Sequence, residues 1–225
     1  MQEVKKRHYN ISYDFYRCYY RLEGFNRILH ERKRYYTDKL RFLGIFNCPE
    51  KDLLNEFFVE IFSWTVMDKT ILDRIKQDIM DNYTSKLEEL TIVDPCSGSS
   101  FHTFLFNKYL MMPVITVDIQ PEQNAWIDTI EGDGVSYITN MKDHSNKILF
   151  LSWIDYTKNE LPYNLLINYK GNMVISVGNY RETDCKKYLD ELKDKYNLVS
   201  DYNIIMPWFS FEEIKVYVRK PTDSV

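Results

Sequence analysis

The sequence lacks the marks of several common protein classes. Only 7 Gly and 7 Pro occur among its 225 residues, and it contains no low-complexity tract and no internal repeat. No uninterrupted apolar run approaches the roughly 20 residues that a membrane-spanning helix needs. The basic start, residues 1–7, has no apolar segment behind it, so we expect no signal peptide and a cytoplasmic or nuclear location. These absences favour a compact globular protein.

Cysteine is also scarce. The four cysteines form no C-x-x-C pair, and the four histidines do not cluster with them. We therefore expect neither a zinc site nor a disulfide framework, and we assign no metal ligand. The G-x-G-x-x-G motif of dinucleotide sites is missing as well, which argues against an oxidoreductase with such a site.

Apolar material is plentiful, and the charge is distributed unevenly. Hydrophobic residues make up 44% of the chain and aromatic residues 16%, enough for a sizeable core. Residues 1–48 hold eleven Lys or Arg against five Asp or Glu, whereas the rest of the chain holds 18 against 28. We expect a helical N-terminal extension over residues 1–84, followed by an α/β domain over residues 85–225.

The N-terminal extension interleaves aromatic residues with arginines, and two interpretations stay open. Such a mixture binds single-stranded nucleic acid through base stacking and phosphate pairing. It is equally the composition of an amphipathic helical arm whose tyrosines pack inward and whose arginines remain solvated. Nucleic acid is therefore a possible partner of this region, and no membrane partner is expected.

The stretch T-I-V-D-P-C-S-G-S-S, residues 91–100, organises the rest of the chain. Residues 91–94 predict a buried strand, which Pro95 ends because it lacks an N–H group. Small residues then form a turn, and helical spacing resumes at Phe101. A strand, a turn with exposed N–H groups and a helix N-terminus favour an adenosine-type ligand, with an ordinary βα turn as the alternative.

Strands and helices alternate beyond this turn. Residues 119–126 read as helix or loop, and residues 135–138 as a third strand or a short helix. The alternation predicts a mainly parallel sheet covered on both faces. Further strands are predicted at 114–118, 147–153, 173–177, 202–206 and 213–219, and helices at 52–62, 68–83, 161–169 and 184–196.

Three acids follow successive predicted strands. Asp94 ends the first strand, and Asp118 ends the second at about the spacing from which an acid reaches a ribose hydroxyl pair. Asp133 lies in the next loop, where its carboxylate could accept from an adenine amine. Ligands bind at this edge of open α/β sheets, so the order of the acids points to an adenosyl site.

At these residues the sequence resembles the class I S-adenosylmethionine-dependent methyltransferases, over about residues 85 to 220. The segment V-D-P-C-S-G-S-S (93–100) is similar to the first motif of that superfamily, I-T-V-D-I (115–119) to the second and G-D-G (132–134) to the third. The segment L-F-L-S-W-I-D-Y (149–156) stands at the fourth motif and resembles a branch that reads S-W-P-P-Y there. The resemblance implies a Rossmann-like, mostly parallel sheet that ends in an antiparallel hairpin.

The resemblance also implies a cofactor, S-adenosylmethionine, and roles for individual residues. Asp118 would bind the ribose, Asp133 the adenine, and the turn from Asp94 to Ser99 the methionine part. The chain departs from the family pattern in the first motif, where only Gly98 remains of three customary glycines. The cofactor-binding residues so assigned are Asp94, Pro95, Cys96, Ser97, Gly98, Ser99, Asp118, Ile119, Gly132 and Asp133.

The fourth motif supplies the predicted acceptor pocket, lined by Ser152, Trp153, Asp155 and Tyr156. Ile154 and Asp155 replace the paired prolines of the related motif, which argues against amine chemistry on a nucleic-acid base. Asp155 then acts as a base, orients the acceptor, or is a surface residue. Two functions stay open: a methyltransferase of unassigned acceptor, and a non-catalytic subunit with the same fold.

Overall fold

The structure is a computed structural model that describes residues 62–65, 67, 69–123, 125–154, 160–178, 185–205 and 211–221. The aromatic, basic N-terminal region and the predicted helix at 52–62, apart from residue 62 itself, lie outside the described residues. From Thr65 onward the described residues belong to one compact unit. No helix among them is long and apolar enough to cross a membrane.

Seven strands and five α-helices build this part of the chain. The strands are β1 (Thr91–Asp94), β2 (Val114–Asp118), β3 (Ile130–Glu131), β4 (Lys147–Ser152), β5 (Met173–Gly178), β6 (Tyr196–Ile205) and β7 (Phe211–Arg219). The helices are α1 (Lys69–Asn82), α2 (Phe101–Leu110), α3 (Gly134–Asn140), α4 (Leu161–Asn168) and α5 (Lys186–Lys195), with a short 3₁₀ helix at Leu87–Glu89.

The strands form a single sheet in the order β3-β2-β1-β4-β5-β7-β6. Strands β1 to β5 run parallel, and β7 lies antiparallel between β5 and β6. The predicted fold class is therefore confirmed, including the terminal antiparallel hairpin that separates this fold from the dinucleotide dehydrogenases. The direction of the strand order reverses between β1 and β4, which makes their carboxyl ends the expected ligand crevice.

Most predicted elements are confirmed, with two differences. Residues 135–138 belong to helix α3, as the second of the two predicted alternatives has it; the difference is strand β3, which was not predicted because its two residues are exposed and form no hydrophobic run. Strand β6 begins at Tyr196, six residues before its predicted start. It pairs with β7 from Tyr196 opposite Arg219, and a bulge between Leu198 and Ser200 breaks the alternation that would have marked it.

Burial on both faces holds the sheet in place. Every residue of β1 and β5 is buried, which is typical of parallel strands covered by helices on each side. Helix α1 contributes Leu72, Ile75 and Ile79 to the core at helical spacing. Each such side chain stabilises the fold by about 1.5 to 3 kcal/mol relative to exposure. The interior of these two strands is mainly apolar, with Ser176 of β5 as a buried polar exception.

Helix α3 packs directly against the turn that follows β1. Its first residue is Gly134, and a Cβ atom placed there would lie 2.2 Å from the Pro95 carbonyl oxygen. Real Cβ contacts do not reach that distance, so a side chain would push the helix and the turn apart. The second glycine of G-D-G therefore joins the third motif to the first.

We predict that Gly134→Ala lowers the free energy of unfolding by about 2 kcal/mol, because overpacking against a backbone carbonyl cannot be relieved by a rotamer change. Urea denaturation measures the change. Gly132→Ala is the matched control: its Cβ would lie 3.9 Å from Val117 Cγ1, an ordinary contact, and we expect a change of at most about 0.5 kcal/mol. Equal effects of the two substitutions would contradict the packing argument.

Candidate functional site

Asp118 connects three loops at the carboxyl edge of the sheet. Its Oδ2 accepts the Gly98 N–H at 2.9 Å and its Oδ1 accepts the Gln120 N–H at 2.9 Å. Its backbone carbonyl accepts the Gly132 N–H, also at 2.9 Å. The first, second and third motifs therefore meet at one residue, as the placement of the acids after successive strands predicts.

The Asp118 carboxylate retains capacity for a ligand. A carboxylate offers about four acceptor positions, and the contacts to Gly98 and Gln120 use two of them. The side chain is half-buried, so its remaining lone pairs are within reach of a hydroxyl pair. Ile119, the next residue, is 76% exposed and supplies an apolar surface beside the acid.

The turn between β1 and α2 places its backbone in unusual conformations. Gly98 has φ +48° and Ser100 has φ +57°, both in the left-handed region that glycine tolerates best. Ser100 thus takes a conformation for which the family pattern uses glycine. Its hydroxyl compensates by accepting the Ile127 N–H at 2.9 Å. The Ser97 Oγ is buried and has no hydrogen-bond partner among the described residues.

Electrostatics confirm that the three acids surround this turn. Burial, together with the nearby carboxylates of Asp94, Asp118 and Asp133, raises the pKa of the Cys96 thiol to about 12. The pKa of Glu122 is also raised, by partial burial and by Asp118. Sequence reasoning missed Glu122, which belongs to no motif and comes close only because the loop after β2 folds back.

Asp94 lies deeper than the other two acids. Its side chain is only 3% exposed, and its Oδ2 accepts the Thr103 hydroxyl of helix α2 at 2.6 Å. Burial raises the pKa of this carboxyl to about 7, against the lowering effect of Thr103. Asp94 therefore holds β1 to α2, and its assigned part in cofactor binding stays a prediction.

Asp133 caps helix α3 at the surface. Its Oδ1 accepts the Ser136 N–H at 2.7 Å. Hydrogen bonding with the side chain and then the backbone of Ser136 lowers the pKa of the Asp133 carboxyl. An open cavity of about 520 Å³ adjoins it, within the size range of small-molecule sites. Its described lining residues are Val117, Ile130, Glu131, Gly132, Asp133, Ser136, Tyr137, Asn140, Met141 and Lys142.

The fourth motif spans the second half of β4 and the residues that follow it. Ser152 Oγ lies 3.1 Å from His102 Nδ1, and the Trp153 indole N–H donates to Thr65 Oγ1 at 2.6 Å. Trp153 has φ +50°, a strained conformation for a bulky residue that concentrates at functional sites. Its backbone N–H donates to the Val177 carbonyl at 2.9 Å. Asp155 and Tyr156 lie outside the described residues.

His102 and Thr65 carry polar contacts that sequence reasoning missed. His102 is a single polar ring in the apolar helix segment F-H-T-F-L-F, and Thr65 is remote from every motif. The sequence offered one indication of these contacts: His102 and Thr103 are adjacent polar residues at positions that the helix buries.

No protein-family model matches the chain, and no curated protein matches it. Similar solved structures include a class I S-adenosylmethionine-dependent methyltransferase from Listeria monocytogenes, with TM-score 0.49, 11% identity and coverage of 78% of this chain and 69% of that chain. TrmK of M. capricolum, in complex with S-adenosylhomocysteine, has TM-score 0.47 and 14% identity over 65% of this chain and 67% of its own.

The N-methyltransferase NodS of Bradyrhizobium japonicum, also with S-adenosylhomocysteine, has TM-score 0.44 and 9% identity over 68% of this chain and 89% of its own. The Listeria and Bradyrhizobium proteins are described as methyltransferases. At these identities the likeness concerns the fold alone.

We predict that Asp94 makes stability pH-dependent. The folded state keeps this carboxyl protonated up to about pH 7, whereas the unfolded chain releases the proton near its ordinary pKa of 3.8. Its contribution to the free energy of unfolding is therefore complete below about pH 4. It declines as the pH rises to about 7, by at most about 1.4 kcal/mol per pH unit.

Asp94→Asn removes this titration. The difference in free energy of unfolding, wild type minus variant, should fall between about pH 5 and pH 7 and then level off. Urea denaturation at several pH values measures it. His102, whose pKa burial lowers to about 4, has the opposite dependence, but it is common to both proteins and cancels. A difference that stays constant across this range would refute the buried-acid assignment.

We predict a difference in stability between two substitutions at Ser100. Ser100→Ala keeps the left-handed strain and loses the hydrogen bond from the Ile127 N–H, so it should destabilise by about 1 to 2 kcal/mol. Ser100→Gly loses the same bond but relieves the strain, so its stability should lie about 1 kcal/mol above that of the alanine variant. Thermal denaturation compares the stabilities of the two variants. A glycine variant less stable than the alanine variant would contradict the backbone strain at residue 100.

Proposed function

We propose that this protein binds S-adenosylmethionine and transfers its methyl group to an acceptor. The observation that supports it most is the convergence on Asp118, where Gly98 and Gly132 from two other loops donate backbone N–H groups. This convergence lies at the carboxyl edge of β1 and β2, next to the reversal of strand order where ligands bind in open sheets.

The residues present fit an adenosyl group. Asp118 would accept the ribose hydroxyls with its remaining lone pairs, and the exposed Ile119 would cover one face of the adenine. Asp133 and the neighbouring cavity offer an acceptor for the adenine amine. The buried Ser97 hydroxyl, which lacks a partner among the described residues, would gain one from the amino-acid part of the ligand.

The chemistry requires little of the protein beyond positioning. When bound, S-adenosylmethionine supplies an already activated methyl group, so no metal and no protein nucleophile are needed. The residues would hold the methyl donor and the acceptor in line and exclude water. This positioning would lower the activation barrier by several kcal/mol. We assign Ser152 and Trp153 to the acceptor side, together with Asp155 and Tyr156 from the sequence resemblance.

A non-catalytic subunit with the same fold is the alternative. The first motif favours it to a limited extent, because Asp94 is held in the core by Thr103 and two of the customary glycines are absent. Such a protein would bind the cofactor weakly or not at all, and it would form no methylated product.

We predict that calorimetric titration detects S-adenosylmethionine binding in the micromolar range. Ile119→Ser should weaken binding about 5- to 30-fold through loss of apolar contact, and Asp118→Ala about 10- to 100-fold through loss of charge-assisted hydrogen bonds. Ile119 is 76% exposed, so we expect the substitution to change the free energy of unfolding by at most about 0.5 kcal/mol.

Met111→Ser is the matched control for Ile119→Ser. Met111 is 74% exposed but precedes β2, at the opposite edge of the sheet, so binding should stay unchanged. Absence of heat at millimolar ligand would reject the proposed function. Equal weakening by the two serine substitutions would reject the assignment of Ile119.

A further inference from the structure

The connection between β2 and β3 folds back onto the turn that follows β1. Its described residues, 119–123 and 125–129, contain no helix, whereas a crossover between parallel strands usually does. Hydrogen bonds hold its second half against the turn instead. The Trp126 N–H donates to the Ser99 carbonyl at 2.9 Å, and the Ile127 N–H donates to Ser100 Oγ at 2.9 Å. The connection therefore forms part of the wall of the candidate site.

Trp126 anchors this connection. Its side chain is only 2% exposed, and its ring lies against Phe101 and Phe104 of helix α2, at centroid distances of 5.0 and 4.9 Å. Burial of so large a ring is strongly stabilising, so the connection has one preferred position on the turn. The preceding residues are held with it, because the Ala125 N–H donates to the Glu122 carbonyl at 3.1 Å.

This position brings the Glu122 carboxylate to Gly98. A Cβ atom built on Gly98 would lie 4.0 Å from Glu122 Oε1, and the Gly98 N–H donates to Asp118 Oδ2 at 2.9 Å. Two carboxylates therefore reach the same glycine, one from the end of β2 and one from the connection. Glu122 stays accessible to solvent, so its carboxylate can also meet a ligand.

Among the described residues, no positive charge offsets these acids at the turn. The charged neighbours that affect the pKa of the Cys96 thiol are Asp94, Asp118 and Asp133, and the one that affects the pKa of Glu122 is Asp118. All of them raise the pKa, which is the effect of a negative potential. Even with Asp94 protonated, three carboxylates remain around the turn, so its potential stays negative.

A buried hydroxyl in the same turn points to a ligand independently of the acids. Ser97 Oγ is inaccessible to solvent and has no hydrogen-bond partner among the described residues. Buried polar atoms in folded proteins are nearly always paired, so a ligand group is expected at this atom. A ligand with hydrogen-bonding groups and a net positive charge would suit both Ser97 and the acids.

The two forms of the proposed cofactor differ in charge at sulfur. S-adenosylmethionine is a sulfonium with one net positive charge at neutral pH. Methyl transfer leaves the electron pair of the broken C–S bond on sulfur, and the positive charge passes with the methyl group to the acceptor. S-adenosylhomocysteine is consequently a thioether without net charge. A negative potential favours the first form over the second, most strongly at low ionic strength.

We propose, on the basis of the proposed function, that Glu122 is a specificity-determining residue through which the site binds the cationic S-adenosylmethionine more tightly than the neutral S-adenosylhomocysteine. The connection anchored by Trp126 holds its carboxylate at the turn. Because methyl transfer removes the charge that Glu122 attracts, the product would leave more readily than the cofactor. We expect an affinity ratio of about 5- to 30-fold in favour of S-adenosylmethionine.

Calorimetric titration of the full chain with both ligands tests the proposal. At about 20 mM salt the wild type should prefer S-adenosylmethionine, and about 300 mM salt should reduce this preference by screening accessible charges. Glu122→Gln, which nearly keeps the shape of the side chain, should lower the affinity ratio about 2- to 5-fold. Equal affinities in the wild type, a preference for S-adenosylhomocysteine, or a ratio that does not change with salt overturns the inference.

Glu88→Gln is the matched control. It removes the same charge from an exposed residue of the 3₁₀ helix before β1, at the opposite edge of the sheet, so the affinity ratio should stay that of the wild type. Adenosine lacks the methionine part and should bind the wild type and Glu122→Gln equally, which shows that the rest of the site is intact. Equal effects of the two substitutions on the ratio, or weaker adenosine binding by Glu122→Gln, overturn the assignment of Glu122.

The outcome can be separated from that of the proposed function. A chain that binds S-adenosylmethionine and S-adenosylhomocysteine with equal affinity keeps its cofactor and loses the charge selectivity only. A chain that binds neither ligand at millimolar concentration loses the proposed function, and the selectivity with it.

Discussion

The hydrogen bonds that meet at Asp118 are the constraint on which the rest of the site depends. Its carboxylate accepts the Gly98 N–H and its carbonyl accepts the Gly132 N–H, so loops that follow β1 and β3 are tied to the end of β2. Each bond contributes only about 1 kcal/mol net. Together with the close approach of Gly134 to Pro95, they give the turn a single arrangement.

The core explains why the chemistry collects at this edge. Strands β1 and β5 are buried along their whole length, and a buried strand cannot present polar side chains to solvent. The polar side chains that can reach a ligand therefore lie at the strand ends, where Asp94, Asp118 and Ser152 are found. These three side chains differ in burial. Asp94 is enclosed and hydrogen-bonded to Thr103, whereas Asp118 and Ser152 are half-buried and their oxygen lone pairs remain available to a ligand.

Two adjacent regions of this edge thus differ in character. Around the first three motifs, carboxylates surround a turn of small residues, which suits a ligand rich in hydroxyl and amine donors. At the end of β4, the Ser152 hydroxyl lies beside a neutral, buried histidine. The strained backbone of Trp153 lies beside it and is stabilised by the indole bond to Thr65.

The sequence by itself determined the sheet and the order of the motifs. Apolar runs ended by Pro95 and Asp118 marked β1 and β2 to the residue, because strands that are buried, as β1 is, or largely covered, as β2 is, have a nearly continuous hydrophobic signal. Strand β3 had no such signal, since it has only two residues and both are exposed. In β6, a bulge interrupts the alternation of side chains in the first half of the strand, so that half was not predicted. Only the tertiary structure decided which acid is enclosed and which is open, and which distant residues complete the site. His102, Thr65 and Glu122 come from three separate parts of the chain, and no local pattern records a contact made by packing.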